Sequence, residues 1–509
     1  MKLYSLLYII LLAFSISCNS TDQNDAKSDD PTGSQNSGNE IIITGQLLEY
    51  NLDSNNNLLE VIFDDVLEDR INKVSQIDSK GKFSFSLTRP YAQSGMLLVG
   101  DNLYSFFVAP GDSLYFEINY AKDEINFKGS HAQFNYQLVS YYKFINDSQD
   151  DFDIRDSILR TSEPMEYKAY INKKAAYFAR ILSDFFKENK CNDEFIAWSS
   201  AERKYWLMTE LMRYRWLHPY KNKVQRDSFF LTIPKEYFSF LEDPQLIERS
   251  GLQTQFFYYF LGEYYSYRLS DIMPKDSTAK MSELYKSGNE LASFQMRASQ
   301  LYTKEPSFTQ DLLLARFYQQ VLEEGRTTAF DSLVKEHPID EENLSQLLQL
   351  KYEQVKELGK RSGKASSIHF NKGLENVAQG IIDTLVKQHA GKVLYIDFWA
   401  PWCGPCMAEV PYAKRLKEQI NTEKVAFIYL GVQCGQDSWE TTILKKEMEG
   451  EHYLLSDEQY KLLAKQFEIK EIPRYLIVDT EGKVVDSKAP KPRESKDLLE
   501  VLNSLTSTK

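Results

Sequence analysis

The residues best placed to do chemistry are Cys403 and Cys406, separated by two residues in "FWAPWCGPCMAEVP" (398–411), directly after the apolar run "KVLYIDFWA". Thiols at this spacing can hold a metal, staple the fold or carry electrons. Structural zinc takes four ligands, ordinarily from a second Cys-x-x-Cys or a His pair. Here Cys434 stands alone and His452 is a single distant candidate, so no metal site is expected. A disulfide across two residues closes a tiny loop and stabilises little. Two-electron thiol–disulfide exchange remains, with the dithiol itself as the redox group and no other cofactor.

The neighbours of the pair suit that chemistry. A helix predicted to begin at the motif places Cys403 at its N-terminus, where unpaired N–H groups and the helix dipole favour an anion. That lowers the thiol pKa and supplies thiolate near neutral pH. Cys406, one turn inward, attacks the mixed disulfide and releases the substrate. Pro405 rigidifies the turn, Gly404 leaves no side chain in the path of an incoming sulfur, and Trp402 offers a flat apolar rim. Asp397 stands within the apolar "VLYIDFWA". An acid there has its pKa raised by desolvation and can take and return a proton.

These residues need a frame. From Leu374 the chain reads as helix "VAQGIIDTLVKQHAG", strand "KVLYIDFWA", a helix from the motif, strand "KVAFIYLGV", further helices, and "IPRYLIVDTEGKVVD" as a hairpin turned at Glu481-Gly482. Alternating helices and strands closed by a hairpin predict an α/β sheet, here assigned to residues 370–509.

At 509 residues the chain is too long for one core, and its length suggests about three domains. Residues 40–128 alternate with period two, as in "KFSFSL" and "SLYFEINY", and turn at Pro110-Gly111-Asp112. They predict a small antiparallel β-domain, sandwich-like, without catalytic or metal spacing. Residues 129–364 switch to helical spacing, as in "KAYINKKAAYFARILSDFF" and "IPKEYFSFL", and form an all-α domain. Its aromatic stripes, "TQFFYYFLGEYYSYRL" above all, read as core, with a groove for an extended peptide as the alternative. His218 and His337 each precede a proline and are assigned to surface or loop. Cys191, at a predicted helix end, and Cys434, after the second core strand, read as inert thiols; a regulatory or second resolving role is the alternative for Cys434. A net charge of −13 argues against nucleic acid, whose phosphates call for a basic face.

The N-terminus joins one Lys to a 14-residue apolar run from Leu3 to Ile16. A spanning helix needs roughly 20 residues, so the run is a secretory signal rather than an anchor helix. It resembles a bacterial lipoprotein signal, residues 1–18, which implies lipidation of Cys18. Residues 19–39 hold a single apolar side chain, Ala26, and predict a flexible tether. Its r.m.s. reach is roughly 25 Å.

"DFWAPWCGPC" with a later Ile472-Pro473 resembles the thioredoxin superfamily, over about the last quarter of the chain. Within it, "CGPCMAEVP" resembles the membrane-tethered thioredoxins of cytochrome c maturation, the TlpA- and ResA-like proteins. The order of signal, β-domain with "VAPGDSLYFEI", helical spacer and thioredoxin is similar to exported Bacteroidetes-type proteins whose N-terminal domain has no assigned function. The resemblance implies that Cys403 and Cys406 form a redox-active disulfide and that Asp397 matches the buried acid. It implies that Glu409 matches the active-site Glu and that Pro411 kinks the helix. Pro473 is then cis, presenting the backbone of Ile472 to an extended substrate strand, with Arg474 where the family more often carries Thr. It further implies exported protein disulfides as substrates and an integral-membrane thiol carrier as electron donor. The location implied is the envelope of a Gram-negative bacterium, on the periplasmic side. Gly-Pro between the cysteines resembles the reducing members, with a potential of about −270 mV. Two other functions compete: a peroxiredoxin-type thiol peroxidase, whose Pro-x-x-x-Thr-x-x-Cys arrangement is absent here, and a cell-surface binding protein with an auxiliary thioredoxin domain.

Overall fold

The computed structural model describes residues 39–50, 58–67, 71–100, 102–148, 152–243, 245–272, 274–286, 289–302, 307–361, 367–371, 374 and 380–507. Cys18, the signal and the tether up to residue 38 lie outside the described residues. The contacts divide the chain into two units, 1–316 with 339–344 and 317–338 with 345–509. No helix among the described residues is long and apolar enough to cross a membrane.

The first unit opens with eight strands: β1 (Glu40–Leu48), β2 (Leu58–Phe63), β3 (Ile71–Gln76), β4 (Lys82–Thr88), β5 (Gln93–Val99), β6 (Asn102–Val108), β7 (Ser113–Asn119) and β8 (Glu124–Gly129). They form two four-stranded sheets, β4-β1-β7-β8 and β3-β2-β5-β6. Period-two burial on β1, β4 and β7 turns Ile41, Ile43, Phe83, Phe85, Leu114 and Phe116 into a core shared with Val61, Leu97 and Phe106 of the other sheet. One pairing, β1 with β7, is parallel while the others in these sheets are antiparallel. Alternation is the same for both directions, so the sequence pattern does not report it. The Pro110-Gly111-Asp112 turn forms as expected, with Gly111 at φ 86° and Asp112 Oδ2 accepting from the Ala109 N–H at 2.7 Å.

Helices follow: α1 (Ala132–Asp147), α2 (Phe152–Thr161), α3 (Pro164–Glu188), α4 (Asp193–Asn222), α5 (Arg226–Phe230), α6 (Gln255–Ser266), α7 (Lys275–Lys286), α8 (Glu290–Leu301), α9 (Phe308–Glu323), α10 (Thr327–Glu336) and α11 (Glu342–Arg361). The aromatic stripes face inward: Trp198, Tyr205 and Tyr214 of α4 and Phe257, Phe260 and Tyr264 of α6 are buried. "IPKEYFSFL" forms a 3₁₀ segment, Lys235–Glu242, rather than an α-helix. Its Tyr237 and Phe240, three apart, suit the period of three and pack in one cluster. His218 corrects the loop assignment. Pro219 lies inside α4, three residues before its end at Asn222, so the His-Pro dipeptide does not end the helix and His218 stays helical. Its Nδ1 lies 2.8 Å from the Leu159 carbonyl and its ring stacks on Phe229. His337 caps the end of α10 and is half-buried rather than on the surface.

The second unit takes in the end of α9, α10 and most of α11, and then contains β9 (Ile368–Phe370), α12 (Ile381–Gln388), β10 (Val393–Trp399), α13 (Gly404–Glu418), β11 (Val425–Gly431), α14 (Gln436–Lys446), β12 (Gly450–Leu454), α15 (Asp457–Gln466), β13 (Arg474–Val478), β14 (Val484–Asp486) and α16 (Ser495–Ser507). Its sheet runs β14-β13-β10-β11-β12-β9. β10 is central, parallel to β11 and antiparallel to β13. Both of its faces are covered. Leu394, Ile396 and Phe398 join Ile381 and Leu385 of α12 and Leu463 of α15. Val393, Tyr395 and Trp399 join Val410 and Leu416 of α13 and Leu498 and Leu502 of α16. The sequence reading begins this region with a helix, whereas β9 precedes α12 and pairs with β12. A three-residue strand is too short to show a period.

Candidate functional site

β10 delivers the chain to the site. After Trp399 a short turn leads to Cys403, the N-cap of α13, with Pro405 in the first turn of the helix, where its missing N–H was unpaired anyway. Cys403 and Cys406 are joined as a disulfide, and Cys403 Sγ accepts from the Cys406 N–H at 3.2 Å. Both cysteines are buried and belong to the core between the sheet, α13 and α16. Gly404 faces open space: apart from its chain neighbours and its own helix backbone, a Cβ there would meet no atom of the described residues within 4 Å. Trp402 is 60% exposed and is held by its Nε1–H donating to the Gln433 carbonyl at 2.9 Å. Pro411 lies inside α13, which continues to Glu418.

The Ile472–Pro473 peptide is cis. The register pairs Asp397 with Tyr475 and Phe398 with Arg474, so Pro473 comes level with the end of β10, from which the chain turns to Cys403. Ile472 packs against the core that contains both cysteines. Arg474 is half-buried, its guanidinium reaching the Ser487 carbonyl at 3.3 Å.

Two buried carboxyls lie on the α13 side. Strand alternation gives Asp397 the face of Tyr395 and Trp399, flanked in register by Tyr429 and Tyr475. Its Oδ1 has no hydrogen-bond partner among the described residues. Burial first, and then the charge of Glu409, push the Asp397 carboxyl well above the usual carboxylate range; Lys417 opposes them. Glu409 is also buried. Its Oε1 accepts from Arg493 Nε at 2.6 Å and its Oε2 from the Arg493 backbone N–H at 3.1 Å. Burial raises this carboxyl too, while Arg493 pulls it back. Lys417 Nζ donates to the Glu449 carbonyl and sits 4.9 Å from the rings of Phe427 and Tyr429; burial pushes it down to about 8.

Arg493 and Lys417 are absent from the sequence reading. Arg493 stands 84 residues from its partner in a Pro- and Lys-rich loop, and Lys417 is one of two lysines on α13, so neither carries a local signal. Cys434 is half-buried in the loop after β11, with burial pushing its thiol up to about 12. Cys191 follows α3 as a free thiol, also raised by burial. Such thiols supply little thiolate near neutral pH. His452 is fully buried, its Nε2 2.6 Å from the Met448 carbonyl, and burial pushes it down to about 3. No group of metal-ligating side chains occurs among the described residues.

An α/β sheet whose central strand leads into a helix opened by a disulfide, with a cis proline level with the strand end and a buried acid on the strand face toward that helix, defines a thioredoxin-superfamily domain. The family model described as Redoxin matches residues 362–502. The domain is ResA-like. Thiol-disulfide oxidoreductase ResA of Bacillus anthracis is 29% identical over 105 residues, 20% of this chain and 57% of that protein. A thioredoxin of Coprinus comatus is 35% identical over 49 residues, 10% of this chain and 46% of that protein. The chain thus spans about half the length of these curated relatives. Among solved structures, the thioredoxin domain of a thiol-disulfide oxidoreductase from Bacteroides vulgatus is 20% identical. That alignment covers 23% of this chain and 84% of that one, with a TM-score of 0.22.

Proposed function

We propose that this chain is a thiol–disulfide oxidoreductase that reduces protein disulfides outside the cytoplasm, held to the cell envelope by a lipid on Cys18. The observation that carries the activity is the Cys403–Cys406 disulfide at the start of α13, open in front of Gly404, with the buried Asp397 on the β10 face whose Tyr395 and Trp399 share a core with both cysteines. The name of the ResA relatives supports the same chemistry.

The reaction starts from the reduced pair. The Cys403 thiolate attacks one sulfur of a substrate disulfide, the Cys403–substrate bond forms, and the other substrate sulfur leaves as a thiolate that takes a proton. Cys406 then loses its proton to Asp397 and attacks Cys403 Sγ. The Cys403–Cys406 bond forms and the second substrate thiol departs, so two electrons have passed from the dithiol to the substrate. Asp397 suits the transfer because a carboxyl raised by burial exchanges protons closer to neutral pH than an exposed one. The cis Pro473 leaves Ile472 beside the pair, where an extended substrate segment can add backbone hydrogen bonds. A dithiol carrier in the membrane restores the reduced state, and a potential of about −270 mV makes the protein a reductant.

Insulin reduction by the pre-reduced full chain tests the activity, with Cys403→Ser expected to abolish it. Cys406→Ala should arrest the reaction as a mixed disulfide that migrates as a heavier band without reductant. Retention of more than about a tenth of the activity in Cys403→Ser would remove the chemistry from this pair. Rapid peroxide consumption without insulin reduction would make the protein a peroxidase.

A further inference from the structure

Two buried acids on one side of a sheet compete for protons, and the protein treats them unequally. Among the described residues Asp397 has an oxygen without a partner, while Glu409 has both oxygens engaged by one residue, Arg493. Arg493 comes from the loop before α16 and is itself braced. Its guanidinium lies 4.7 Å from the centre of the Tyr412 ring, and Nη2 reaches the Ala408 carbonyl at 3.5 Å. Charge-assisted bonds to both oxygens favour the ionised form of an acid. A buried oxygen without a partner favours the neutral form.

We infer that Arg493 is a positioning residue for the dithiol: it holds Glu409 as an oriented anion and so leaves the exchangeable proton to Asp397. The inference rests on the proton-transfer role proposed for Asp397 above. The charged and titratable groups that act on Glu409 are Lys491 and Arg493 from the loop before α16. From the sheet they are Asp397 and Tyr395 of β10 and Tyr475 of β13. Of these, Arg493 alone donates hydrogen bonds to its carboxylate. The anion at Glu409 in turn raises Asp397. When two acids repel each other, the partner with the weaker support for its charge holds the first proton. Loss of the guanidinium removes a charged side-chain donor from Glu409, moves the proton toward it and relieves the repulsion on Asp397.

The experiment uses the full chain with Arg493→Gln and with Arg493→Lys, which keeps a cation but loses the fork. The Arg493 side chain is 36% exposed, so neither change opens a sealed core. Redox-difference infrared spectroscopy reads the protonated carboxyl band, assigned with Asp397→Asn and Glu409→Gln. The wild-type band is expected to vanish with Asp397→Asn. In the Arg493→Gln background the surviving band should instead vanish with Glu409→Gln, and Arg493→Lys should restore part of the wild-type pattern. Mixed-disulfide release, followed by stopped flow across pH, should show its acid limb moving down by on the order of one unit in Arg493→Gln. A band that still belongs to Asp397 in Arg493→Gln, with an unmoved pH profile, overturns the inference. The infrared arm locates the proton whether or not insulin is reduced, so failure of the proposed activity is told apart from failure of this assignment.

Discussion

Asp397→Asn separates a working carboxyl from a structural one. The side chain faces the α13 layer among Tyr395, Trp399, Tyr429 and Tyr475, and its carboxyl is raised above 3.8 chiefly by burial. The folded protein therefore holds a proton there that the unfolded chain has already released at moderate pH. Its favourable contribution is complete below the ordinary carboxylate range and is lost as pH rises through the folded value. Asparagine keeps the shape and does not ionise. The stability advantage of Asp397→Asn over wild type should thus be smallest in acid and grow with pH. The limiting slope is about 1.4 kcal/mol per pH unit across the window, levelling off above the folded value of Asp397. Urea titrations of both proteins from pH 4 to 9 read this directly. The rate should move the opposite way, because loss of general acid–base help slows resolution of the mixed disulfide by about 10²-fold or more. Slower turnover with equal or higher stability is the expected pair of results. A variant less stable at every pH, with the rate per folded molecule kept, would refute the role given to Asp397. An unchanged rate with unchanged stability would pass the proton step to Glu409 or to water.

Cys434→Ser and Cys191→Ser should each leave insulin reduction within about twofold of wild type, since half-buried thiols kept protonated by desolvation are poor nucleophiles; a large loss in either shows a second working thiol. Cys18→Ala should release the mature protein from the detergent phase to the soluble fraction on phase partitioning, and a product that stays in the membrane would mean an uncleaved signal anchor. In the first unit, His131 Nδ1 lies 2.7 Å from Asp112 Oδ2, a bond that raises the imidazole above 6.5. Its stabilisation is complete below 6.5 and is lost as pH rises through the folded value, so His131→Asn should flatten the thermal-unfolding profile from about pH 6 to 8. A pH profile identical to wild type would remove His131 from that linkage.

The dithiol was legible because its signal is local. Cys403, Gly404, Pro405 and Cys406 form one turn at a helix start, and the apolar run of β10 before them makes the charge of Asp397 conspicuous. The β-sandwich strands were legible for the same reason, since period-two alternation is written within each strand. What the sequence left open depends on residues far apart in the chain. The parallel pairing of β1 with β7 gives the same alternation as an antiparallel one, so only the register of the assembled sheet decides it. His218 reads as a loop residue from the His-Pro dipeptide, and packing against Phe229 keeps it in α4. Glu409 could be read as one more acid on a helix until Arg493, 84 residues away, closed over it. A sequence window reports what neighbouring residues do to the backbone. Which of two buried acids holds the proton is set by desolvation and by charges that meet only when β10, α13 and the loop before α16 are packed together.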